Sequence, residues 1–237
     1  MMQQCQTSQA VGGRVSWYIL ARARARRNKG MQMYASGIVG KTISRMEVRI
    51  VGYGALLLVS SLLLIACANN EPTTSGVDGT RILQADSEPG NWMSHGRTYD
   101  EQRYSPLAEI NEANIGRLGL SWRYDFDTHR GLEATPLVVD GVMYVTGSWS
   151  RVYALDAASG DLLWQYDPRV PPEWAANACC DVVNRGVALW QGVVYVGTLD
   201  GRLVALDARD GVERWSVQTT PTDKPYTITG APRVVKG

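Results

Sequence analysis

The stretch Met143-Tyr-Val-Thr-Gly-Ser-Trp-Ser-Arg-Val-Tyr-Ala-Leu-Asp-Ala (143–157) aligns without a gap on Val194-Tyr-Val-Gly-Thr-Leu-Asp-Gly-Arg-Leu-Val-Ala-Leu-Asp-Ala (194–208), at an offset of 51 residues. Ala154, Asp156, Gly160 and Trp164 recur as Ala205, Asp207, Gly211 and Trp215, every member displaced by the same 51. Inside each unit, short apolar runs with period-two alternation are broken by turn pairs such as Asp140-Gly141 and Ser159-Gly160, the pattern of antiparallel β structure. Strands are expected over 138–139, 142–146, 152–155 and 162–166. A repeat of about 40–50 residues holding four short strands describes a propeller blade. The fold class is therefore all-β. Asp156 and Asp207 are expected to accept hydrogen bonds from the backbone of the turn that follows each. Trp164 and Trp215 are expected to supply flat apolar area between blades.

Trp122, in Leu120-Ser-Trp-Arg-Tyr-Asp-Phe (120–126), marks the last strand of a further blade, so about two and a half blades are visible before Gly237. A closed ring typically needs four to eight. An incomplete propeller, a piece of a longer chain, is the expectation.

Toward the N-terminus the composition changes sharply. Residues up to Arg49 carry nine Lys/Arg against one Glu, whereas the rest carries 15 basic and 22 acidic residues, so the net charge of +1 hides two unlike segments. The basic leader (1–49) lacks the aromatic interleaving of a nucleic-acid-binding segment, and no nucleic-acid partner is expected. Residues 50–66 (IVGYGALLLVSSLLLIA) form an uncharged apolar run of 17, short of the roughly 20 residues of a spanning helix. The run ends at Leu64-Ile65-Ala66-Cys67, an aliphatic and small-residue pattern that fits a bacterial lipoprotein signal. The segment 50–67 is thus expected to direct export, with Cys67 the lipid-bearing residue; an uncleaved N-terminal anchor is the alternative. Both place the rest on the periplasmic side of a bacterial membrane, outside the reducing cytoplasm. Polar residues 68–90 are expected to be a flexible tether, and 91–237 the folded body.

In that compartment the neighbours Cys179 and Cys180 are left to pair with each other once Cys5 is removed with the leader and Cys67 carries lipid. Consecutive Cα atoms lie about 3.8 Å apart, below the roughly 4.4–6.8 Å usual for disulfides, so a bridge here belongs to a site more than to a scaffold. Two reduced, packed thiols are the other reading. His95 and His129 have no ligand-like neighbours in sequence and are expected to be exposed loop residues. No Gly-rich phosphate loop, Ser/His/Asp arrangement or CxxCH haem site is present.

Several separated motifs then converge. They are Asn91-Trp92 with Gly96-Arg97; Gln102-Arg103-Tyr104-Ser105-Pro106-Leu107; Ile115 to Trp122; Glu133-Ala-Thr-Pro-Leu-Val-Val-Asp-Gly-Val-Met-Tyr (133–144); Cys-Cys-Asp-Val-Val-Asn-Arg-Gly (179–186); and Ile228-Thr-Gly-Ala-Pro-Arg-Val (228–234). With these, residues 91–237 closely resemble the N-terminal part of the quinoprotein alcohol dehydrogenases that use pyrroloquinoline quinone, the methanol and ethanol dehydrogenase family. The resemblance implies an eight-bladed propeller with the quinone in its axial funnel and a Cys179–Cys180 disulfide packed against one face of the ring system. It implies that Glu133 and Thr229 contact the cofactor and that Arg185 pairs with a cofactor carboxylate. The planar fork of Arg suits that last role.

The resemblance further implies oxidation of primary alcohols, a Ca2+ or lanthanide ion as Lewis acid, a carboxylate base, and a periplasmic acceptor such as a cytochrome c. The metal ligands and base of the family fall beyond Gly237. No catalytic or metal-binding residue is assigned in this chain, and Asp125, Asp127 and Asp181 are read as turn or surface acids. A non-enzymatic lipoprotein propeller that scaffolds outer-membrane protein assembly would share the lipobox and the tryptophan repeat. Such a scaffold has no use for the vicinal cysteines followed by Arg185.

Overall fold

Side chains alternate across a strand, and a strand buried on both faces needs apolar residues at odd and even positions alike. The computed structural model, which describes residues 8–11, 14–22 and 76–237, meets that demand in two four-stranded antiparallel sheets. The first runs in order through β4 (Leu137–Val139), β5 (Val142–Thr146), β6 (Val152–Asp156) and β7 (Leu162–Tyr166). The second does the same through β8 (Ala188–Trp190), β9 (Val193–Gly197), β10 (Arg202–Asp207) and β11 (Glu213–Gln218). Every strand predicted in the first unit is present, within a residue at each end. Tyr144, Val152 and Ala154 face the core shared with the second sheet, where Val187, Leu189, Val194 and Val204 pack. Met143, Val145, Tyr153 and Leu155 face the other way and join Trp122 and Phe126.

Trp122 lies on β3 (Leu118–Asp125), the outer strand expected of a further blade. What fixes one blade on the next is the repeated tryptophan. The indole N–H of Trp122 donates to the Ala157 carbonyl at 3.2 Å, and that of Trp164 donates to the Ala208 carbonyl at 3.1 Å. Ala157 and Ala208 each follow the repeat aspartate directly, so the two acceptors are related by the same 51-residue offset. The repeat glycine makes room for the ring. A Cβ on Gly160 would lie 2.4 Å from Trp122, and one on Gly211 would lie 2.5 Å from Trp164, while both glycines have φ near +80 or +70 (81 and 72). Only glycine accepts both that approach and that backbone. Trp164 is 8% exposed and Trp215 is 43% exposed, so the inter-blade role expected of both is realised in these residues by the first alone.

The repeat aspartates act as turn acceptors, as expected. Asp156 Oδ1 takes the N–H groups of Ala158 and Ser159, both at 2.8 Å, and Asp207 Oδ1 takes that of Arg209 at 2.9 Å. Asp207 also pairs with the Arg209 and Arg214 guanidinium groups at 3.1 and 2.8 Å. The Arg209 bond, against the opposing effect of burial, holds its carboxyl far below the ordinary range.

The tether expected over 68–90 requires correction from residue 76 onward. Val77, Ile82, Ala85 and Met93 are buried in the core shared by the two sheets. A short helix, α1 (Gly79–Leu83), is capped by Asp78, whose side chain accepts the Arg81 N–H at 2.8 Å. Arg81 bridges Glu88 at 2.5 Å and Asp140 at 2.9 Å; bonds to these two carboxylates, Glu88 first, raise its pKa against the effect of burial. Trp92 then exchanges two backbone bonds with Val138, of 2.7 and 3.0 Å, alongside β4. Apolar residues spaced irregularly among polar ones hide such a segment from composition.

Residues of the basic leader also enter the fold. β1 (Ser8–Val11) pairs with β2 (Arg14–Arg22), which runs antiparallel beside β3. An edge strand offers unpaired N–H and C=O groups to any available partner, and Val15, Trp17, Tyr18 and Ile19 suit a strand. All described residues belong to one compact unit. The apolar run 50–66, Cys67 and the tether up to residue 75 lie outside the described residues.

If the indole anchor holds adjacent blades, Trp164→Ala should lower stability by about 3–5 kcal/mol. Urea denaturation of the two proteins side by side is the measurement, and a midpoint unchanged by the substitution would refute the anchor.

Candidate functional site

Each blade is entered by a segment that runs into its first, three-residue strand, and successive entry segments bond to one another. The Thr135 N–H donates to the Arg185 carbonyl at 3.1 Å, and the Arg185 N–H donates to the Thr229 carbonyl at 2.9 Å. This ladder carries three of the predicted site residues to one place. Arg185 Nη2 pairs with Glu133 Oε2 at 2.8 Å, and Arg185 Nη1 donates to Thr229 Oγ1 at 2.7 Å. The arginine and glutamate side chains are 40% and 42% exposed, which leaves the ion pair partly open to solvent and to a ligand. Residues 44 and 52 positions apart are therefore joined through one guanidinium.

The backbone under Arg185 is held by polar groups that sequence reading did not single out. Asn184, 1% exposed, donates to the Gly197 carbonyl at 2.8 Å and to Ser150 Oγ at 3.3 Å. Its own side-chain oxygen accepts the Gly186 N–H at 3.0 Å. Thr146 Oγ1 donates to the Asn184 carbonyl at 3.2 Å, and Ser150 Oγ accepts the Leu199 N–H at 3.1 Å. Each group is satisfied inside the protein, as burial requires. The position of Asn184 next to the predicted arginine was the available signal; its burial was not legible without the fold.

Cys179 and Cys180 form a disulfide on an exposed turn after a 3-10 helix, Pro172–Asn177. Cys179 and Asp181 face each other in an isolated bridge. Asp181 accepts the Val182 N–H at 2.8 Å and Arg130 Nη1 at 2.6 Å. Burial opposes ionisation of this carboxyl, yet the Val182 and Arg130 interactions outweigh it and hold its pKa below the usual value. Asp125 pairs with Arg123 at 3.4 Å, and Asp127 is exposed.

His129 is exposed, as expected; His95 is not, and that reading is corrected. It is half-buried, with Nε2 against the Arg103 guanidinium and Nδ1 buried without a hydrogen-bond partner. Burial first, then the Arg233 and Arg103 charges, pull its pKa down to about 4, so the ring is neutral near pH 7 and accepts from Arg103. Arg103 continues to Thr135 Oγ1 at 3.4 Å, and Arg233 pairs with Glu101. Histidine becomes buried here because residues 94–103 fold back under the segment 232–235, a long-range contact that local pattern does not carry.

A cavity of about 90 Å3 lies beside His95, walled by Ile82, Met93, Val187, Leu189 and Arg233 among others. It contains none of Glu133, Cys179, Cys180, Arg185 or Thr229 and is small beside the roughly 300–1,000 Å3 of ligand pockets. The open group at Arg185 suits a ligand better. A fixed guanidinium with a neighbouring hydroxyl fits a carboxylate, and the exposed disulfide offers an uncharged surface, so the residues present fit an acidic, planar molecule. Among the described residues no three His, Cys, Asp or Glu come together to hold a metal ion.

Comparison with known proteins gives this arrangement a context. Residues 92–216 match the family described as PQQ, glucose/ethanol/alcohol dehydrogenase, β-propeller domain. The chain is 63% identical over 164 residues to the quinohemoprotein alcohol dehydrogenase ADH-IIG of Pseudomonas putida, covering 69% of this chain and 23% of that protein. The solved structure of ADH-IIG superposes with a TM-score of 0.68 over 69% of this chain and 24% of its own. The dehydrogenase subunit of an alcohol dehydrogenase (quinone) of Komagataeibacter europaeus is 51% identical over 208 residues, 85% of this chain and 28% of that one. A europium-containing methanol dehydrogenase is 42% identical with a TM-score of 0.63, over 66% of this chain and 28% of that chain. The chain thus spans about a quarter of the length of these relatives.

Replacing Asn184 by Ala would leave the Gly197 carbonyl and Gly186 N–H without their side-chain partner. A loss of about 2–4 kcal/mol is expected from the unsatisfied buried groups, read as a lower denaturant midpoint; a loss under about 0.5 kcal/mol would contradict the network.

Proposed function

The chain belongs to the glucose/ethanol/alcohol dehydrogenase family built on the PQQ β-propeller domain, and we propose that it supplies one wall of the quinone site in an exported dehydrogenase of primary alcohols. The observation that carries this is the Glu133–Arg185–Thr229 group, set where blade entry segments meet and five residues from the vicinal disulfide. Arg185 would hold a cofactor carboxylate through its planar fork, with Thr229 as a second polar contact. Glu133 keeps the guanidinium oriented and adds an acceptor to the same group. The disulfide would cover one face of the ring system. Bound there, pyrroloquinoline quinone would accept the two electrons removed from the alcohol.

The remaining parts of the reaction are assigned to none of these residues. A Ca2+ or lanthanide ion as Lewis acid and a carboxylate base are proposed from the family, with the europium-containing relative in support of a metal. A cytochrome c as electron acceptor is supported by the relative named 1-butanol dehydrogenase (cytochrome c) from Thauera butanivorans, 62% identical over 149 residues. The lipobox reading adds a periplasmic location with the chain tethered through Cys67.

Two measurements on the full-length protein test these proposals. Arg185→Ala should weaken the binding of pyrroloquinoline quinone to apoprotein about 10- to 100-fold, the worth of a charge-assisted bond; titration with an unchanged Kd would remove Arg185 from the site. Cys67→Ser should move the protein from the membrane fraction to the soluble periplasmic one, and equal recovery in membranes would end the lipid-anchor proposal.

A further inference from the structure

The disulfide and the Glu133–Arg185–Thr229 group must hold a fixed relation if they are to grip one planar ligand, yet Cys179 and Cys180 sit on an exposed turn. Asp181 supplies the missing restraint. Its φ of 71 places it in the left-handed region, which short polar residues enter when the side chain bonds locally. Asp181 Oδ1 takes the N–H of Val182 at 2.8 Å, closing the turn on itself. The same carboxylate takes Arg130 Nη1 at 2.6 Å, reaching across to the segment that bears Glu133 three residues further on.

That segment is itself held from behind. Ser148 Oγ donates to the Gly131 carbonyl at 3.3 Å and accepts from Thr128 Oγ1 at 3.1 Å, while Thr128 Oγ1 takes the Arg130 N–H at 3.0 Å. On the other side the Trp149 N–H donates to the Val182 carbonyl at 2.8 Å. One carboxylate therefore joins two loops 51 residues apart, each of which is also bonded to the 3-10 turn Ser148–Ser150 between β5 and β6.

We propose that Asp181, bonded to Arg130, is a positioning residue that locks the Cys179–Cys180 turn to the Glu133 segment, so that disulfide and ion pair keep a common ligand between them. The proposal rests on the quinone-site reading above. Its role differs from that of a solvated turn acid, because the bond partner lies on a different loop and that loop carries a site residue.

The test uses the full-length protein with Asp181→Asn, Arg130→Gln and the double variant. Two readouts are needed. One is the rate at which dithiothreitol opens Cys179–Cys180, followed by alkylation and mass; the other is the Kd for pyrroloquinoline quinone. Each single substitution should speed opening and weaken quinone binding by about tenfold, the usual effect of removing a supporting bond behind a site residue, and the double variant should be no worse than the singles, because the pair acts as one unit. Asp181→Glu should recover part of both effects. Rates and affinities within twofold of the unaltered protein, or effects that multiply in the double variant, would overturn the proposal. Arg130 is exposed at 52%, so Arg130→Gln reports even if Asp181→Asn fails to fold. Lack of quinone binding by the unaltered protein would remove the functional reading alone, and the opening rates would still decide the role of Asp181.

Discussion

The structure depends on the bond between an indole N–H and an alanine carbonyl one blade further on. A β-sheet with two apolar faces cannot stand alone in water, because each face must be covered. Trp122 and Trp164 solve this by laying a large ring over the neighbouring blade and spending the only polar atom of the ring on a carbonyl that its turn leaves available. The glycine beneath each ring and the aspartate that shapes the turn follow from that requirement. The repeat is therefore the imprint of one contact made again and again.

The same contact sets up the site. Once adjacent blades are locked at a fixed distance, their entry segments are close enough to exchange the Thr135–Arg185 and Arg185–Thr229 backbone bonds. These bonds bring together side chains contributed by three different segments, and none of them has a local reason to be near the others. Behind them Asn184, Ser150 and Thr146 make a buried polar layer with its groups paired. An unpaired member would cost more than an apolar residue at the same place, so the layer holds Arg185 in one arrangement.

Legibility followed the range of the interactions. The strands of the first blade could be read because alternation and turn residues act over a few positions, and Asp156 and Asp207 could be given their turn role on the same ground. Residues 76–90 resemble a tether in sequence because Val77, Ile82 and Ala85 have no regular period; they are buried by the blades they meet. His95 carries no signal of burial in sequence for a related reason. Its burial comes from Arg103 and the distant segment around Arg233, and no local pattern announces that meeting.

The sequence by itself determined the all-β class and the 51-residue blade repeat, since these rest on local periodicity and turn chemistry, while the residues of the candidate site were implied by the resemblance of its motifs to the quinoprotein family. Tertiary structure alone decided which of those residues touch. The ion pair of Glu133 with Arg185, the hydroxyl of Thr229 on the same guanidinium and the clasp of Arg130 on Asp181 all join residues more than 40 positions apart. Contacts of that separation are fixed by how blades pack, and blade packing is a property of the folded sheets, not of any window of the chain.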